Sequence, residues 1–168
     1  MDPATLRRIQ APLKERYRDD PASASTPLAA TGECDVESLT CTVVGWAGPV
    51  RAGLHRATGG DGSDACSGDM LLEAVLACAG VTLRSVATAM GLDLGVVRLH
   101  ADASFDARGT LGLDAAVPVG IQDLLVTVEV SGDVAEDRLE RLARTTERYC
   151  VVGQSLREPA RVVVRRVE

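Results

Sequence analysis

The stretch that decides the fold runs from residue 60 to residue 83: Gly60-Asp-Gly-Ser-Asp-Ala-Cys-Ser-Gly-Asp-Met-Leu-Leu-Glu-Ala-Val-Leu-Ala-Cys78-Ala-Gly-Val-Thr-Leu83. Its first part is a loop of Gly, Asp and Ser, and its second part has the composition of a helix. The spacing predicts a helix from about Asp69 to Met90, ended by Gly91. At 100° per residue Asp69, Glu73, Arg84 and Thr88 fall close to one stripe, and nearly everything else is Leu, Ala, Val, Met, Gly or Cys. A helix this apolar is expected to be buried on most of its surface. Cys78 belongs to its apolar side. On residue type alone Cys78 is either a small core hydrophobe or a reactive thiol, and spacing does not choose between them.

Downstream of this helix, residues 96–105 alternate, with Val97, Leu99, Ala101, Ala103 and Phe105 on one face and Arg98, His100, Asp102 and Ser104 on the other. Residues 122–130 alternate too, with Leu124, Val126, Val128 and Val130 facing inward. The Gly-containing segment 106–120 joins them as a loop, so an antiparallel pair is expected. Asp133 with Glu136 three positions on reads as a capping box opening a helix that reaches about Cys150. Cys150 shares the inward face of that helix with Leu139 and Ala143. Gly153 and Pro159 then redirect the chain into a last strand over 161–167.

Upstream, residues 39–46 and 50–56 read as two strands joined by a turn at Ala47-Gly48-Pro49. Leu6, Ile9, Leu13 and Tyr17 mark an amphipathic helix over 4–18, interrupted by Pro12, and residues 20–31 read as a linker. Such a short helix is marginal alone and is expected to dock on its own body or on a partner subunit. Residues 1–31 are thus an N-terminal helix and linker, and 32–168 form the main domain. Strands and helices come in separate blocks, which gives an α+β class rather than a doubly wound parallel sheet.

Bulk composition narrows the function. The chain of 168 residues carries a formal charge of −6, which argues against nucleic-acid binding because phosphate contacts need clustered Lys and Arg. Aromatics are only 2% of residues, so the core is built from Leu, Val and Ala. No run of 18 or more uncharged apolar residues occurs, so no membrane helix is expected, and the first ten residues lack a signal-peptide core. A cytoplasmic location follows as the expectation. Five cysteines in a reducing compartment fit free or reactive thiols better than structural bridges.

Other polar residues read as structural. Glu73 and Arg84 form a polar stripe at a helix surface or dimer interface. Cys34 and Cys41 lack a second Cys pair or a nearby His, so no metal site is expected. His55 and His100 lie on expected strands without a triad partner. The Gly59-Gly60-Asp-Gly turn lacks the Lys-Ser/Thr of a phosphate-binding loop. Nothing calls for a cofactor.

The run Gly60–Leu83 resembles the first signature of the OsmC/Ohr family of thiol peroxidases: a Gly-rich loop, an acidic residue opening a helix, and Leu-rich turns reaching a reactive cysteine. The run Glu147-Arg-Tyr-Cys150-Val-Val-Gly-Gln-Ser-Leu156 resembles the second, a resolving-cysteine segment before a final strand. The order of elements matches from about residue 35 onward. The resemblance implies an OsmC-like α+β fold, with antiparallel sheets packed on a long buried central helix, in an intertwined homodimer. It implies a peroxidase acting on organic hydroperoxides or hydrogen peroxide in oxidative or osmotic stress defence. Cys78 would be the peroxidatic thiolate, Cys150 the resolving thiol, and a lipoyl-type or thioredoxin-like dithiol the reductant. Arg56, with Arg51 as second choice, and Asp69 would be the arginine and carboxylate that stabilise the thiolate.

Asp69 is nine residues before Cys78, about 13 Å along a straight helix, so it would act on Cys78 through the arginine or from a partner subunit. Gly68 stands where the organic-hydroperoxide branch carries its acid, Val151 follows Cys150 where many members have Pro, and Cys66 is extra. These differences point to an OsmC-like relative rather than a typical Ohr protein. Two other readings stand beside the peroxidase: a non-catalytic dimeric protein of the same fold that binds a small hydrophobic ligand, and a structural partner in a larger assembly.

Overall fold

The computed structural model describes residues 1–158 and 160–167. Twelve regular elements follow one another: α1 (Pro3–Asp19), β1 (Thr31–Cys34), β2 (Cys41–Gly45), β3 (Gly48–Gly53), β4 (Ala65–Cys66), α2 (Ser67–Met90), β5 (Val97–Ser104), α3 (Ala107–Thr110), β6 (Gln122–Val130), α4 (Glu136–Tyr149), α5 (Val151–Gln154) and β7 (Arg161–Arg166). The chain divides into two compact units. One comprises Met1–Pro27, Ala74–Asp102 and the chain from Leu124 onward; the other comprises Leu28–Glu73 and Ala103–Asp123.

The first unit holds the three-stranded sheet β5-β6-β7 and the helices α4 and α5. The alternation read in β6 is what the structure uses: Val126, Val128 and Val130 are fully buried, and Val162 and Val164 of β7 join them. Helix α4 lays Leu139, Leu142, Ala143 and Thr146 against this core, the three-to-four spacing of one helical face. Helix α2 contributes Val75, Ala79, Leu83 and Ala87, a narrow stripe at every fourth residue. Gly80 sits over Leu99 of β5, where a Cβ would meet the Leu99 methyls at 3.5 Å.

Helix α2 is not buried on most of its surface: outside the stripe it is partly or well exposed, with Val81 73% exposed. By length and mean hydropathy alone α2 would suffice to cross a membrane, although Glu73 and Arg84 interrupt its apolar run and its buried stripe packs in the core of the first unit. The sheets are not purely antiparallel. β6 and β7 pair in parallel from Leu125↔Arg161 to Val130↔Arg166, because the α4–α5 crossover carries the chain back to the starting end of the sheet. β5 and β6 are neighbours, and Ser131 just past β6 donates to the Val96 carbonyl just before β5 at 3.1 Å, the connection of an antiparallel pair.

Asp133 is no capping residue. Helix α4 starts at Glu136 behind Ala135 with no side-chain cap, and the Asp133 carboxylate instead pairs with Arg166 at 2.6 Å. Val134 donates to the Gly132 carbonyl at 3.0 Å, and this tight turn ahead of the helix accounts for the later start. Helix α1 begins where expected, capped by Asp2, which accepts from the Ala4 and Thr5 amides at 2.9 Å. Those contacts, the Thr5 amide foremost, hold the Asp2 carboxyl down at about 2. Pro12 lies inside α1 without ending it, and no residue of α1 is fully buried.

The second unit is built on the sheet β1-β2-β3-β4. Its β2–β3 hairpin turns at Trp46-Ala47, with Gly45 opposite Gly48, so Pro49 is already paired with Val44 rather than in the turn. Strand β1, opposite β2 from Thr31↔Val44 to Cys34↔Cys41, lies partly in the segment read as a linker. β4 adds to β3 in parallel. The segment read as a loop between the two long strands contains the short helix α3, capped by Asp106, whose Arg108 partner leads in holding its carboxyl at about 2. Pro159, expected to redirect the chain, lies outside the described residues.

Candidate functional site

The site grows from the end of α4. The helix stops at Tyr149 because Cys150 leaves the helical region, with φ −74° and ψ 100°, although its amide still donates to the Thr146 carbonyl at 2.9 Å. Cys150 is therefore a hinge between two helices rather than part of a continuous one. It caps α5, and its Sγ accepts a hydrogen bond from the Gly153 amide at 3.4 Å. A Cβ at residue 153 would stand 3.3 Å from that sulfur, so a larger side chain there would press on the thiol. Glu147, one turn earlier, ties the hinge to the sheet: its Oε1 accepts from the Val162 amide at 2.5 Å, and its carbonyl accepts from Gln154 Nε2 at 2.9 Å. Cys150 is only 3% exposed.

Cys78 faces this hinge from the middle of α2, half-buried and packed against the core cluster that holds Cys150. Burial pushes the Cys78 thiol up, as it does any group that ionises to an anion. The Val152 amide, the Cys150 thiol, the Thr82 hydroxyl and the Val151 amide together outweigh burial, and Cys78 lies below the ordinary thiol value. Cys150 moves the other way. Burial raises it first, the Gly153 amide offsets part of this, and the Cys78 thiol beside it raises it further. Cys78 is the thiol that ionises first. Its anion is held by donors from the hinge and from its own helix, and Cys150 remains a protonated neighbour.

Reading the side chains of the sequence missed most of these donors. Thr82 was findable, since it lies four residues past Cys78 and so shares its helix face. The Val151 and Val152 amides had no residue-type signal, because their availability depends on the break in the helix at Cys150.

The other expected site residues lie in the second unit. Asp69 stands in the first turn of α2, where the helix end favours a negative charge. Arg56 opens a 3-10 turn, Arg56–Thr58, whose end is Gly59. Its guanidinium lies over Gly62, so that a Cβ there would fall 2.2 Å from Arg56 Nε. Arg56 makes no ion pair among the described residues, whereas Arg51 is engaged by Asp64. His55 lies beyond β3 rather than on it. Its Nδ1 accepts from the Ala57 amide at 3.0 Å, and its ring meets Phe105 edge-on with centroids 5.1 Å apart. His100 is exposed on β5 beside Asp102 at 3.1 Å. Among the described residues, no group of three or more His, Cys, Asp or Glu side chains could hold a metal ion.

The model of the OsmC-like protein family matches residues 60–165, from the Gly-rich loop through both cysteines to the last strand. A comparison with curated proteins found no match. Solved structures share the fold at low identity. An OsmC-like protein from Mycoplasma pneumoniae is 15% identical with a TM-score of 0.67, over 86% of this chain and 99% of its own. An organic hydroperoxide resistance protein from Elizabethkingia anophelis is 13% identical with a TM-score of 0.67, over 86% and 98%. The organic hydroperoxide resistance protein OsmC from Legionella pneumophila is 18% identical with a TM-score of 0.62, over 86% and 99%. With more than half of its residues inside the family model and both thiol segments within that match, the chain belongs to the OsmC-like protein family.

Proposed function

We propose that the protein is a thiol-dependent peroxidase that reduces organic hydroperoxides or hydrogen peroxide through Cys78 and Cys150. What carries the reading is the placement of both thiols in one core cluster, with Cys78 pushed toward the thiolate and Cys150 toward the thiol. A nucleophile and a resolving partner need this division. The Cys78 thiolate attacks the terminal peroxide oxygen and the O–O bond breaks. The alkoxide leaves and takes up a proton as the alcohol, or as water when the substrate is hydrogen peroxide. Cys78 is now a sulfenic acid. The Cys150 thiol attacks its sulfur, hydroxide departs with the thiol proton as water, and a Cys78–Cys150 disulfide forms. A lipoyl-type or thioredoxin-like dithiol returns both thiols and is itself oxidised.

The relatives from Legionella pneumophila and Elizabethkingia anophelis, both organic hydroperoxide resistance proteins, support the substrate class. Arg56 is the better assignment for the stabilising arginine than Arg51, which Asp64 engages, and Asp69, which makes no ion pair with Arg56 in this structure, is the acid assigned to orient it. The exposed apolar side of α2 supports a homodimer, and the assignment extends to a cytoplasmic enzyme of stress defence. The test is peroxide consumption with dihydrolipoamide or thioredoxin as reductant, followed by peptide mapping. Turnover, its abolition in Cys78→Ser, and a Cys78–Cys150 link after peroxide treatment are expected. Both thiols unmodified after a stoichiometric excess of cumene hydroperoxide and of hydrogen peroxide would sink the proposal.

A further inference from the structure

Two more thiols face each other on the other sheet. We propose that Cys34 and Cys41 form a second dithiol–disulfide couple, one that exchanges with small disulfides of the glutathione class. The two residues are direct cross-strand partners at the loop end of the β1–β2 hairpin. The Asp35 amide donates to the Thr40 carbonyl at 3.0 Å. In an antiparallel ladder that bond makes the adjacent pair, Cys34 and Cys41, a non-hydrogen-bonded one. Pairs of that kind have Cα atoms about 4.5 Å apart, and their side chains leave the same face. That spacing falls inside the window of roughly 4.4–6.8 Å that a disulfide spans.

The connecting loop holds the pair in register. Asp35 Oδ1 accepts from the Glu37 and Ser38 amides at 2.7 and 3.3 Å, and the Ser38 and Thr40 hydroxyls meet at 2.7 Å. Both thiols are free, with Cys34 exposed and Cys41 half-buried. The Cys34 thiol beside it pushes Cys41 up from its ordinary value. Cys34 is the thiol that solvent reaches.

The chemistry closes without another reactant. The Cys34 thiolate attacks one sulfur of oxidised glutathione, forming a mixed disulfide and releasing one glutathione thiolate. The Cys41 thiolate attacks the Cys34 sulfur and releases the second. Protein dithiol and oxidised glutathione become protein disulfide and two reduced glutathiones, and every step runs backward under reducing conditions. The couple uses neither peroxide nor Cys78, so it stands or falls separately from the peroxidase.

The test equilibrates the full wild-type chain in glutathione buffers, quenches it with an alkylating agent, and cleaves it after glutamate. Glu37 lies between the two cysteines, so their peptides separate unless a disulfide joins them. A Cys34–Cys41 link that forms with oxidised glutathione and disappears with reduced glutathione is expected. At a fixed ratio of oxidised to reduced glutathione, doubling the total should halve the quotient of linked to free pair, since two reduced molecules are released per disulfide. In Cys34→Ser that linked species should vanish. Separate glutathione adducts whose abundance ignores the total, or chains joined to one another through Cys34, would overturn the proposal.

Discussion

Gly59 and Gly62 offer a matched pair of substitutions that separates the placement of Arg56 from backbone strain. Both glycines have positive φ, +101° and +82°. Alanine at either position should cost about 1–2 kcal/mol of stability, the penalty for an L side chain in left-handed backbone. At this chain length that is a fall in Tm of roughly 2–4 °C per kcal/mol. Beyond this the two differ. A Cβ at 59 meets nothing within 4 Å, whereas one at 62 lands 2.2 Å from Arg56 Nε and 2.7 Å from its Nη2. Ordinary contact begins at 3.4 Å, so the guanidinium must retreat by more than 1 Å. Its flexible stem makes that movement inexpensive for folding; under the proposed role of Arg56 it is costly for the reaction. A misplacement of about 1 Å at a site of this kind costs up to roughly 10²-fold in rate.

The expected outcome is similar loss of Tm in Gly59→Ala and Gly62→Ala, with kcat/KM for cumene hydroperoxide falling about 10–100-fold further in Gly62→Ala. Calorimetry and dihydrolipoamide-coupled peroxide consumption read the two effects separately. Equal kcat/KM in the two variants would refute the assignment of Arg56 to the reaction and leave Gly62 a purely structural glycine.

Alkylation of Cys78 by iodoacetamide should rise with pH as the thiolate forms, with a midpoint below the ordinary thiol range. Cys150→Ala, which deletes one of the donors holding that anion, should move the midpoint up, while Cys150→Ser, which keeps a donor, should move it less; equal midpoints would remove Cys150 from the account. Thr146 is fully buried and its hydroxyl has no hydrogen-bond partner among the described residues, so Thr146→Val should raise unfolding stability by about 1 kcal/mol in urea titrations. A loss of that size would mean that the hydroxyl is satisfied. Asp133→Ala should cost less than about 0.5 kcal/mol, as for an exposed ion pair, against the roughly 1 kcal/mol of a lost helix cap. The same titration distinguishes the two.

The parts legible in the sequence are those whose signal is periodic burial. The alternation of Val126, Val128 and Val130 placed β6, and the Leu139, Leu142, Ala143 spacing placed α4, because both patterns follow from one face meeting a core. β1 left no such trace. Thr31, Gly32, Glu33 and Cys34 are all exposed, and they are a strand only through backbone bonds to β2. Asp133 misled for a related reason. Its spacing to Glu136 fits a cap, yet the tight turn through Gly132 starts the helix later, and Arg166, distant in the chain, takes the carboxylate. At the candidate site, Cys78 and Cys150 could be named from motifs and Thr82 from its place one turn past Cys78. The amides of Val151 and Val152 could not, since any residue but proline supplies one and only the hinge at Cys150 frees them.

The parallel pairing of β6 with β7 also sets an order on biosynthesis. Glu147, three residues before Cys150, is fastened to Val162, so the hinge at Cys150 gains its fixed position only when the last strand docks. Cys78 is made long before that. At 5–20 residues per second a ribosome needs roughly 5–20 s to go from Cys78 to Arg166. Throughout that interval the nascent thiol lacks the amides that acidify it. It behaves as an ordinary cysteine, protonated for the most part at neutral pH and slow toward oxidants. The lowered Cys78 thiol of the finished fold is thus withheld from the unfinished chain by topology.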